Sequence, residues 1–126
     1  MLRRRFITFL ALLPIAGLVY SAVQPFDESV FAYARKAGKP VLVYVHAKWC
    51  PTCRKQEPAI HSLLQRSEFS GFQVLKVDFD AQPEVLEDLR VVRQSTIIVF
   101  SGEKEMARAT GVTQPEAIAA LMRKAL

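Results

Sequence analysis

Short apolar runs rich in β-branched residues recur along this chain and predict four strands. The predicted strands are 40–46, 72–78, 96–100 and 105–110, and we expect the third to be fully buried. Residues 101–104, which include Gly102, predict a hairpin turn that makes the last two strands antiparallel.

Four further segments carry helix signals. Asp27 or Ser29 is expected to cap a first helix that runs to about residue 37 and ends at Gly38. The other predicted helices are 54–67, 83–89 and a last, amphipathic one at 115–124, with Thr113 as its cap. The helix between the first two strands forms a crossover, which makes those strands parallel.

The chain's only two cysteines, Cys50 and Cys53, stand where the first strand gives way to the second helix. If Cys50 begins the helix and Cys53 lies in its first turn, the Cα atoms come within the roughly 4.4–6.8 Å that a disulfide needs. Pro51 suits the first helical position because it has no N–H to leave unpaired. A strand, a sharp turn and a CxxC pair at a helix start are typical of redox-active cysteines.

The expected roles of the two sulfurs follow from their places. A thiolate attacks a disulfide, and the unpaired N–H groups and the dipole at a helix N-terminus favour negative charge. We therefore expect Cys50 to be an exposed nucleophile with a lowered pKa, helped by the positive potential of Lys48, Arg54 and Lys55. Cys53 is expected to lie deeper and to resolve the mixed disulfide by attacking Cys50.

Two structural alternatives compete with redox activity, namely a structural disulfide and half of a zinc site. Zinc needs two further ligands at a suitable spacing, and the sequence has no second CxxC. No dedicated metal or cofactor site is therefore predicted.

Charge excludes one class of partner. The 126 residues suffice for one folded domain and carry a net charge of +5. Without Arg3, Arg4 and Arg5, however, the chain has 14 basic against 12 acidic residues. This near balance argues against a nucleic-acid surface.

The N-terminus predicts a targeting segment over residues 1–23. Arg3, Arg4 and Arg5 precede a mostly apolar run, 6–23, that contains no charge. The run fits a secretory signal cut after Ser21, or an uncleaved anchor just long enough to span a bilayer. Either reading leaves the arginines inside and the domain outside, so we expect a periplasmic or otherwise exported protein, free or anchored to the inner membrane.

From residue 26 to 126 the chain resembles the thioredoxin-fold family. The resemblance rests on 47–53 (AKWCPTC), Pro58, 74–78, 100–102 and Gly111. It implies an α/β thioredoxin-like fold with a central mixed sheet of about four strands flanked by helices. It also implies a thiol–disulfide oxidoreductase in which Cys50 is the nucleophile, Trp49 flanks the site and the Cys50–Cys53 disulfide is the only redox group.

This chain departs from the family pattern at three positions. Ser95 stands where the family has a cis-proline, and we predict a trans peptide before Thr96, since a non-proline cis bond costs about 3–4 kcal/mol. Ser95 Oγ could then hydrogen-bond the Cys50 thiolate, or leave room for a metal. Tyr44 replaces a buried aspartate, and His46 replaces a large aromatic residue.

Several polar side chains near the cysteines carry two interpretations each. His46 either exchanges a proton with the cysteines or packs at the strand end with one nitrogen hydrogen-bonded. Glu57, four residues after Cys53, either replaces the missing aspartate or pairs with Lys76, which matches the family's buried lysine. His61 continues that spacing and is expected to be ordinary surface.

The predicted function is therefore a cell-envelope reductant of client disulfides, supplied with electrons by an upstream thiol–disulfide donor and acting as a monomer. Pro51 and Thr52 between the cysteines do not decide the direction of electron flow. The alternatives are a soft-metal or cluster-binding module that uses Cys50, Cys53 and His46, and a binding module with an idle CxxC pair.

Overall fold

The computed structural model describes residues 11, 12 and 22–126. The expected signal or anchor, with its cleavage point after Ser21, lies almost entirely outside these residues. Within the part that is described, no helix combines the length and the apolar character that crossing a bilayer requires.

Five strands form one mixed sheet. They are β1 (Val23–Pro25), β2 (Pro40–His46), β3 (Gln73–Asp78), β4 (Thr96–Ser101) and β5 (Lys104–Thr110), in the spatial order β1-β3-β2-β4-β5. The parallel β2–β3 pair and the antiparallel β4–β5 hairpin are confirmed, and β2 also pairs antiparallel with β4. The sheet thus has five strands rather than about four.

The additional strand, β1, lies in a segment expected to be a link before the first helix. It pairs parallel with β3 over Val23–Pro25 and forms the sheet edge. Three residues are too few to show a period, and proline at the third signals a break. At an edge, however, proline is tolerated because no neighbouring strand needs its N–H.

Four helices cover the sheet: α1 (Glu28–Lys36), α2 (Pro51–Leu63), α3 (Pro83–Asp88) and α4 (Pro115–Arg123). Asp27 caps α1 by accepting from the backbone N–H groups of Ser29 and Val30 at 2.9 and 3.1 Å, as predicted. The expected cap at Thr113 is wrong, because Gln114 takes the N-cap position of α4 and makes no side-chain capping bond.

The helix signal at 54–67 extended too far, whereas Pro51 as the first helical position is confirmed. α2 begins at Pro51, where the fixed φ of proline suits the first turn. It ends at Leu63 and is followed by a 3₁₀ turn, Ser67–Phe69. This turn brings Phe69, which is fully buried, into the core beside Phe72.

Strand β2 runs through the centre of the molecule. Leu42 and Tyr44 point toward α2 and α4, whereas Val41, Val43 and Val45 face the opposite core, which includes residues of α1 and α3. Both faces of the strand are thus buried, which explains its continuous apolar sequence. The strand delivers its last residues directly to the two cysteines.

Candidate active site

Cys50 begins α2 as its N-cap residue. Its backbone is extended (φ −84°, ψ 113°), and its Sγ accepts a hydrogen bond from the Cys53 backbone N–H at 3.2 Å. The Cys50 carbonyl accepts from the Arg54 N–H at 3.2 Å, which closes the first turn. The predicted placement, with Cys50 at the helix mouth and Cys53 in the first turn, is confirmed.

The expectation that Cys50 is exposed is wrong. Both cysteines are free thiols and each residue is only 1% exposed. The capping hydrogen bond turns the Cys50 sulfur toward the helix, where Ala47 and Cys53 pack with it. By exposed fraction the two residues are equally buried, so the expectation that Cys53 is the deeper one stays a prediction.

The pKa of the Cys50 thiol is lowered. Burial alone would raise that pKa, but hydrogen bonds to the sulfur outweigh it. The donors are the Cys53 side chain, the Cys53 backbone N–H, the Gln94 side chain and the Thr52 backbone N–H. The direction matches the prediction, but these causes are hydrogen bonds rather than the charges of the basic side chains at 48, 54 and 55, all of which are exposed.

The two thiols have opposite ionisation behaviour. Burial, the hydrogen bond to Cys50 and the charge of a Cys50 thiolate raise the pKa of Cys53 to about 11. Its Sγ also lies 3.8 Å from the Val45 carbonyl oxygen, which can accept from the thiol. Cys50 is therefore the first of the two thiols to ionise as the pH rises, and Cys53 stays protonated to higher pH.

The turn before β4 contains Gln94 and Ser95 and faces the cysteines. Its contribution to the site does not come from the Ser95 hydroxyl, which was the atom expected. Ser95 has a left-handed backbone (φ +57°), and no peptide bond among residues 22–126 is cis, which agrees with the predicted trans bond. From this turn it is the Gln94 side chain, and not the Ser95 hydroxyl, that lowers the pKa of Cys50. The Ser95 backbone interacts with Cys53 instead.

Thr96 does not reach the cysteines. Its hydroxyl donates to the Arg93 carbonyl at 2.8 Å and shares a 2.9 Å hydrogen bond with the Thr110 hydroxyl. These contacts fix the start of β4 and its pairing with β5. Gln94 was not singled out from the sequence, although it directly precedes the unusual Ser95.

Trp49 forms an exposed aromatic surface beside Cys50. The residue is 54% exposed, its indole N–H donates to Asp80 at 2.9 Å, and its ring packs edge-on against Phe79 at 6.2 Å. The hydrogen bond and the ring contact hold the indole in one orientation. Trp49 thus presents a fixed, exposed aromatic face beside Cys50.

Glu57, on α2, lies at the centre of a cluster of polar side chains. Its carboxylate accepts from the Tyr44 hydroxyl at 2.8 Å and pairs with Lys76 Nζ at 2.7 Å, while His46 Nε2 lies 3.8 Å away. The predicted Glu57–Lys76 pair is thus present, and Tyr44, in place of the family's aspartate, is satisfied by Glu57.

The ionisation of this cluster follows from its burial and its partners. Burial raises the pKa of Glu57, but hydrogen bonds from Lys76 and Tyr44 outweigh it and leave the pKa lowered. Burial also lowers the pKa of His46, against the attraction of Glu57. Glu57 is thus the carboxylate that attracts the charged form of His46. The expected proton exchange between His46 and the cysteines stays a prediction.

An open groove of about 580 Å³ passes over this cluster and is bordered by His46, Glu57 and His61. His61 is exposed, in accordance with its assignment to the surface. Among residues 11, 12 and 22–126, no group of three or more His, Cys, Asp or Glu side chains is arranged to hold a metal ion. The set of Cys50, Cys53 and His46 suggested for a soft metal is not such a group.

Comparison with known proteins identifies the family. The thioredoxin family model matches residues 18–124. Thioredoxin from Chlamydia trachomatis is 30% identical over 102 residues, which cover 81% of this chain and 97% of that protein. Thioredoxin H2 from Arabidopsis thaliana is 30% identical over 86 residues, 68% of this chain and 63% of that protein, so the chain spans slightly under two thirds of it.

Similarity to a bifunctional protein is confined to a small part of it. The bifunctional thioredoxin reductase/thioredoxin from Mycobacterium leprae is 34% identical over 87 residues, which cover 68% of this chain but 18% of that protein. The chain therefore spans less than a fifth of this relative.

Solved structures agree with the family assignment. Trxlp from Edwardsiella tarda superposes with a TM-score of 0.78 at 37% identity, over 80% of this chain and 98% of that one. Thioredoxin from Trypanosoma brucei brucei, with a TM-score of 0.69 at 20% identity over 86% of this chain and 93% of that one, shares the fold alone. This chain belongs to the thioredoxin family, whose members are thiol–disulfide oxidoreductases.

Proposed function

We propose that this protein is a thiol–disulfide oxidoreductase of the cell envelope that reduces the disulfides of client proteins through Cys50 and Cys53. The observation that carries the proposal is the capped Cys50 sulfur, which accepts the Cys53 N–H at 3.2 Å beside a thiol of raised pKa. One sulfur is thereby prepared to attack while its neighbour is held in reserve.

The exchange proceeds in two steps. The Cys50 thiolate attacks one sulfur of a client disulfide, a mixed disulfide forms, and the other client sulfur leaves and takes up a proton. Cys53 then loses its proton and attacks the Cys50 sulfur, which releases the second client thiolate. The client gains two electrons and two protons, the Cys50–Cys53 pair becomes a disulfide, and an upstream dithiol donor reduces it again.

The same groups account for the order of the two steps. Burial, the hydrogen bond to Cys50 and the charge of the Cys50 thiolate all raise the pKa of Cys53 in the free enzyme. Once Cys50 is bound in a mixed disulfide, it has no charge, so the last two effects end while burial remains. Capture of a client therefore makes the second thiol easier to ionise.

The proposed location rests on residues 1–23, whose three arginines and uncharged apolar run are typical of an export signal or anchor. In an exported compartment, client disulfides persist and provide substrates. Fusion of residues 1–23 to a reporter enzyme that is active only outside the cytoplasm tests this location. We expect an active reporter; an inactive one that stays in the cytoplasm contradicts the location without affecting the chemistry.

Insulin reduction tests the activity. The wild-type protein should lose two thiols on mild oxidation and should accelerate insulin reduction by dithiothreitol, whereas Cys50→Ser should fall to the uncatalysed rate. Retained activity in Cys50→Ser contradicts the proposal. The reduction potential then gives the direction, since values near about −270 mV are typical of reductants and values near about −120 mV of oxidants.

A further inference from the structure

One backbone carbonyl, that of Val45, links the second cysteine to the turn before β4. It accepts a hydrogen bond from the Ser95 backbone N–H at 2.7 Å and a long one from the Cys53 thiol, with 3.8 Å between sulfur and oxygen. All three residues are buried, so the protein itself supplies the partners of these polar groups. The Cys53 thiol and the Ser95 N–H therefore share one acceptor.

The Ser95 N–H is held on this carbonyl by contacts on the other side of the residue. The Ser95 carbonyl accepts from the Gln56 side chain and from the Gly111 N–H, each at 3.0 Å. These bonds keep the Ser95 backbone in the left-handed region, with a φ of +57°, which is disfavoured for a residue that has a Cβ. Two parts of the fold, α2 and the segment after β5, thus fix the direction of the N–H group.

Sharing the oxygen changes what it does to the thiol. A carbonyl that already accepts a short hydrogen bond is a weaker acceptor for a second donor, so its bond to the Cys53 thiol is loosened. The same N–H also reduces the negative partial charge that a Cys53 thiolate would meet at the Val45 oxygen. Both effects favour the ionised form of Cys53. In agreement, the Ser95 backbone acts to lower the pKa of Cys53, against the burial that raises it.

From these contacts we infer that Ser95 is a positioning residue for the second step of exchange: its backbone N–H occupies the Val45 carbonyl and thereby weakens the hold of that oxygen on the Cys53 proton. The role belongs to the backbone and not to the hydroxyl, and a residue without an N–H, such as proline, could not perform it. The inference rests on the proposed function, because Cys53 must lose this proton before it attacks Cys50.

Replacement of the Ser95 peptide N–H by an ester oxygen removes the donor and leaves the neighbouring side chains in place. The ester is made by incorporating lactic acid at position 95, so Ser95→Ala with its ordinary peptide bond is the matched control. In a Cys50→Ala background a single thiol remains, and the ultraviolet absorbance of its thiolate reports Cys53 alone. We expect the ester to raise the Cys53 midpoint by about 0.5–1 pH unit relative to Ser95→Ala, the net contribution of one hydrogen bond.

A second ester measures the general effect of this backbone change. The Ala37 N–H donates to the Tyr33 carbonyl at 2.9 Å, and Ala37 precedes β2, whereas the cysteines follow the other end of that strand. Lactic acid at position 37 should leave the Cys53 midpoint unchanged, and so should Ser95→Ala. An unchanged midpoint in the position-95 ester, or an equal rise in the position-37 ester or in Ser95→Ala, overturns the inference.

A single turnover with dithiobis(nitrobenzoate) separates the two steps of exchange without a protein client. Cys50 attacks this disulfide and releases one coloured thiolate, and Cys53 then attacks the mixed disulfide and releases the other. In the chain with both cysteines, the position-95 ester should slow the second release about two- to threefold below the Cys53 midpoint, since the greater nucleophilicity of a thiolate with a higher pKa offsets part of the loss. The first release should be unchanged. Equal slowing of both releases, or no slowing of the second, overturns the inference.

The wild-type protein provides a measurement that does not depend on the folding of a variant. NMR detects the scalar coupling across the hydrogen bond from the Ser95 nitrogen to the Val45 carbonyl carbon. This coupling should grow when Cys50 and Cys53 form their disulfide, because the carbonyl then loses its second donor; an absent or unchanged coupling overturns the inference. If the wild-type protein fails to reduce insulin, the proposed function fails, whereas the thiolate titration and the coupling still decide the role of Ser95.

Discussion

At the scale of single residues, the reactivity of Cys50 depends on the donors that reach its sulfur. The CxxC spacing and the helix start were sufficient to predict which cysteine ionises first. The sequence did not predict the donors, because Gln94 lies more than forty residues away and reaches Cys50 only through the fold. For the same reason the burial of Cys50 could not be predicted from its neighbours along the chain.

The Cys53 thiol should itself promote ionisation of Cys50. In Cys53→Ala the sulfur loses a donor, so the pKa of Cys50 should rise and its alkylation should slow at neutral and mildly acidic pH. A pH series of iodoacetamide reaction rates measures this. Lys48→Ala, which removes an exposed positive charge, should have a smaller effect; a larger one would mean that surface charge, and not hydrogen bonding, controls the thiolate.

The Glu57 cluster should make stability depend on pH. The pKa values of Glu57 and His46 are both lowered from ordinary values of 4.5 and 6.5, so the unfolded chain binds more protons in acid. The contribution of these two groups to the free energy of unfolding is therefore fully present above pH 6.5. It should fall as the pH drops, first below pH 6.5 as His46 takes up a proton and then below pH 4.5 as Glu57 does. Urea denaturation at successive pH values measures this, and a flat profile would contradict it.

Replacement of the carboxylate tests the same cluster directly. Glu57→Gln removes the charge that holds Lys76 and weakens the acceptor for the buried Tyr44 hydroxyl, and it should cost about 1–3 kcal/mol of unfolding free energy at pH 7. Glu116→Gln is the matched control, because Glu116 also forms an ion pair, with Arg66, but its side chain is 70% exposed. An equal loss in both variants would mean that burial adds nothing to the Glu57 contacts.

At the scale of elements, the chain's hydrophobic pattern predicted four of the five strands and the positions of all four helices. It succeeded where an element is buried on both faces, as in β2, or is capped locally, as in α1. It missed β1, which has three residues and depends on β3 for its hydrogen bonds. The end of α2 was also missed: the helix stops at Leu63 and a 3₁₀ turn with the buried Phe69 follows.

The N-termini of α1 and α4 differ in their capping, and substitutions can show this difference. Asp27→Ala removes two capping hydrogen bonds and should lower the urea midpoint. Thr113→Ala should leave it nearly unchanged, since the N-cap of α4 is Gln114. A larger decrease of the urea midpoint in Thr113→Ala than in Asp27→Ala would indicate that Thr113 caps α4.

Two glycines in the left-handed region should respond differently to alanine. A Cβ at Gly102 would lie 3.3 Å from the Gly38 Cα, whereas a Cβ at Gly111 would meet nothing within 4 Å. Both substitutions carry the backbone cost of about 1–2 kcal/mol, and Gly102→Ala adds the steric one. Thermal unfolding should therefore show a larger loss for Gly102→Ala; equal losses would contradict the close approach of α1 to the hairpin.

At the scale of the whole molecule, the sheet carries the two halves of the site to one place. β2 ends beside the cysteines, β4 begins at the turn that faces them, and β2 and β4 are neighbours in the sheet. The family could be identified from the CxxC stretch and the order of elements. The hydrogen bonds from Gln56 to the turn before β4 and from Tyr44 to Glu57 required the three-dimensional arrangement.

Trapping of the exchange intermediate tests the central claim most directly. When Cys53→Ala and Cys50→Ala proteins are incubated with an oxidised client such as insulin, mass spectrometry can locate any mixed disulfide. We predict a stable adduct on Cys50 in Cys53→Ala and little or none on Cys53 in Cys50→Ala. Equal trapping by both cysteines, or by neither, would contradict the assignment of Cys50 as the attacking sulfur.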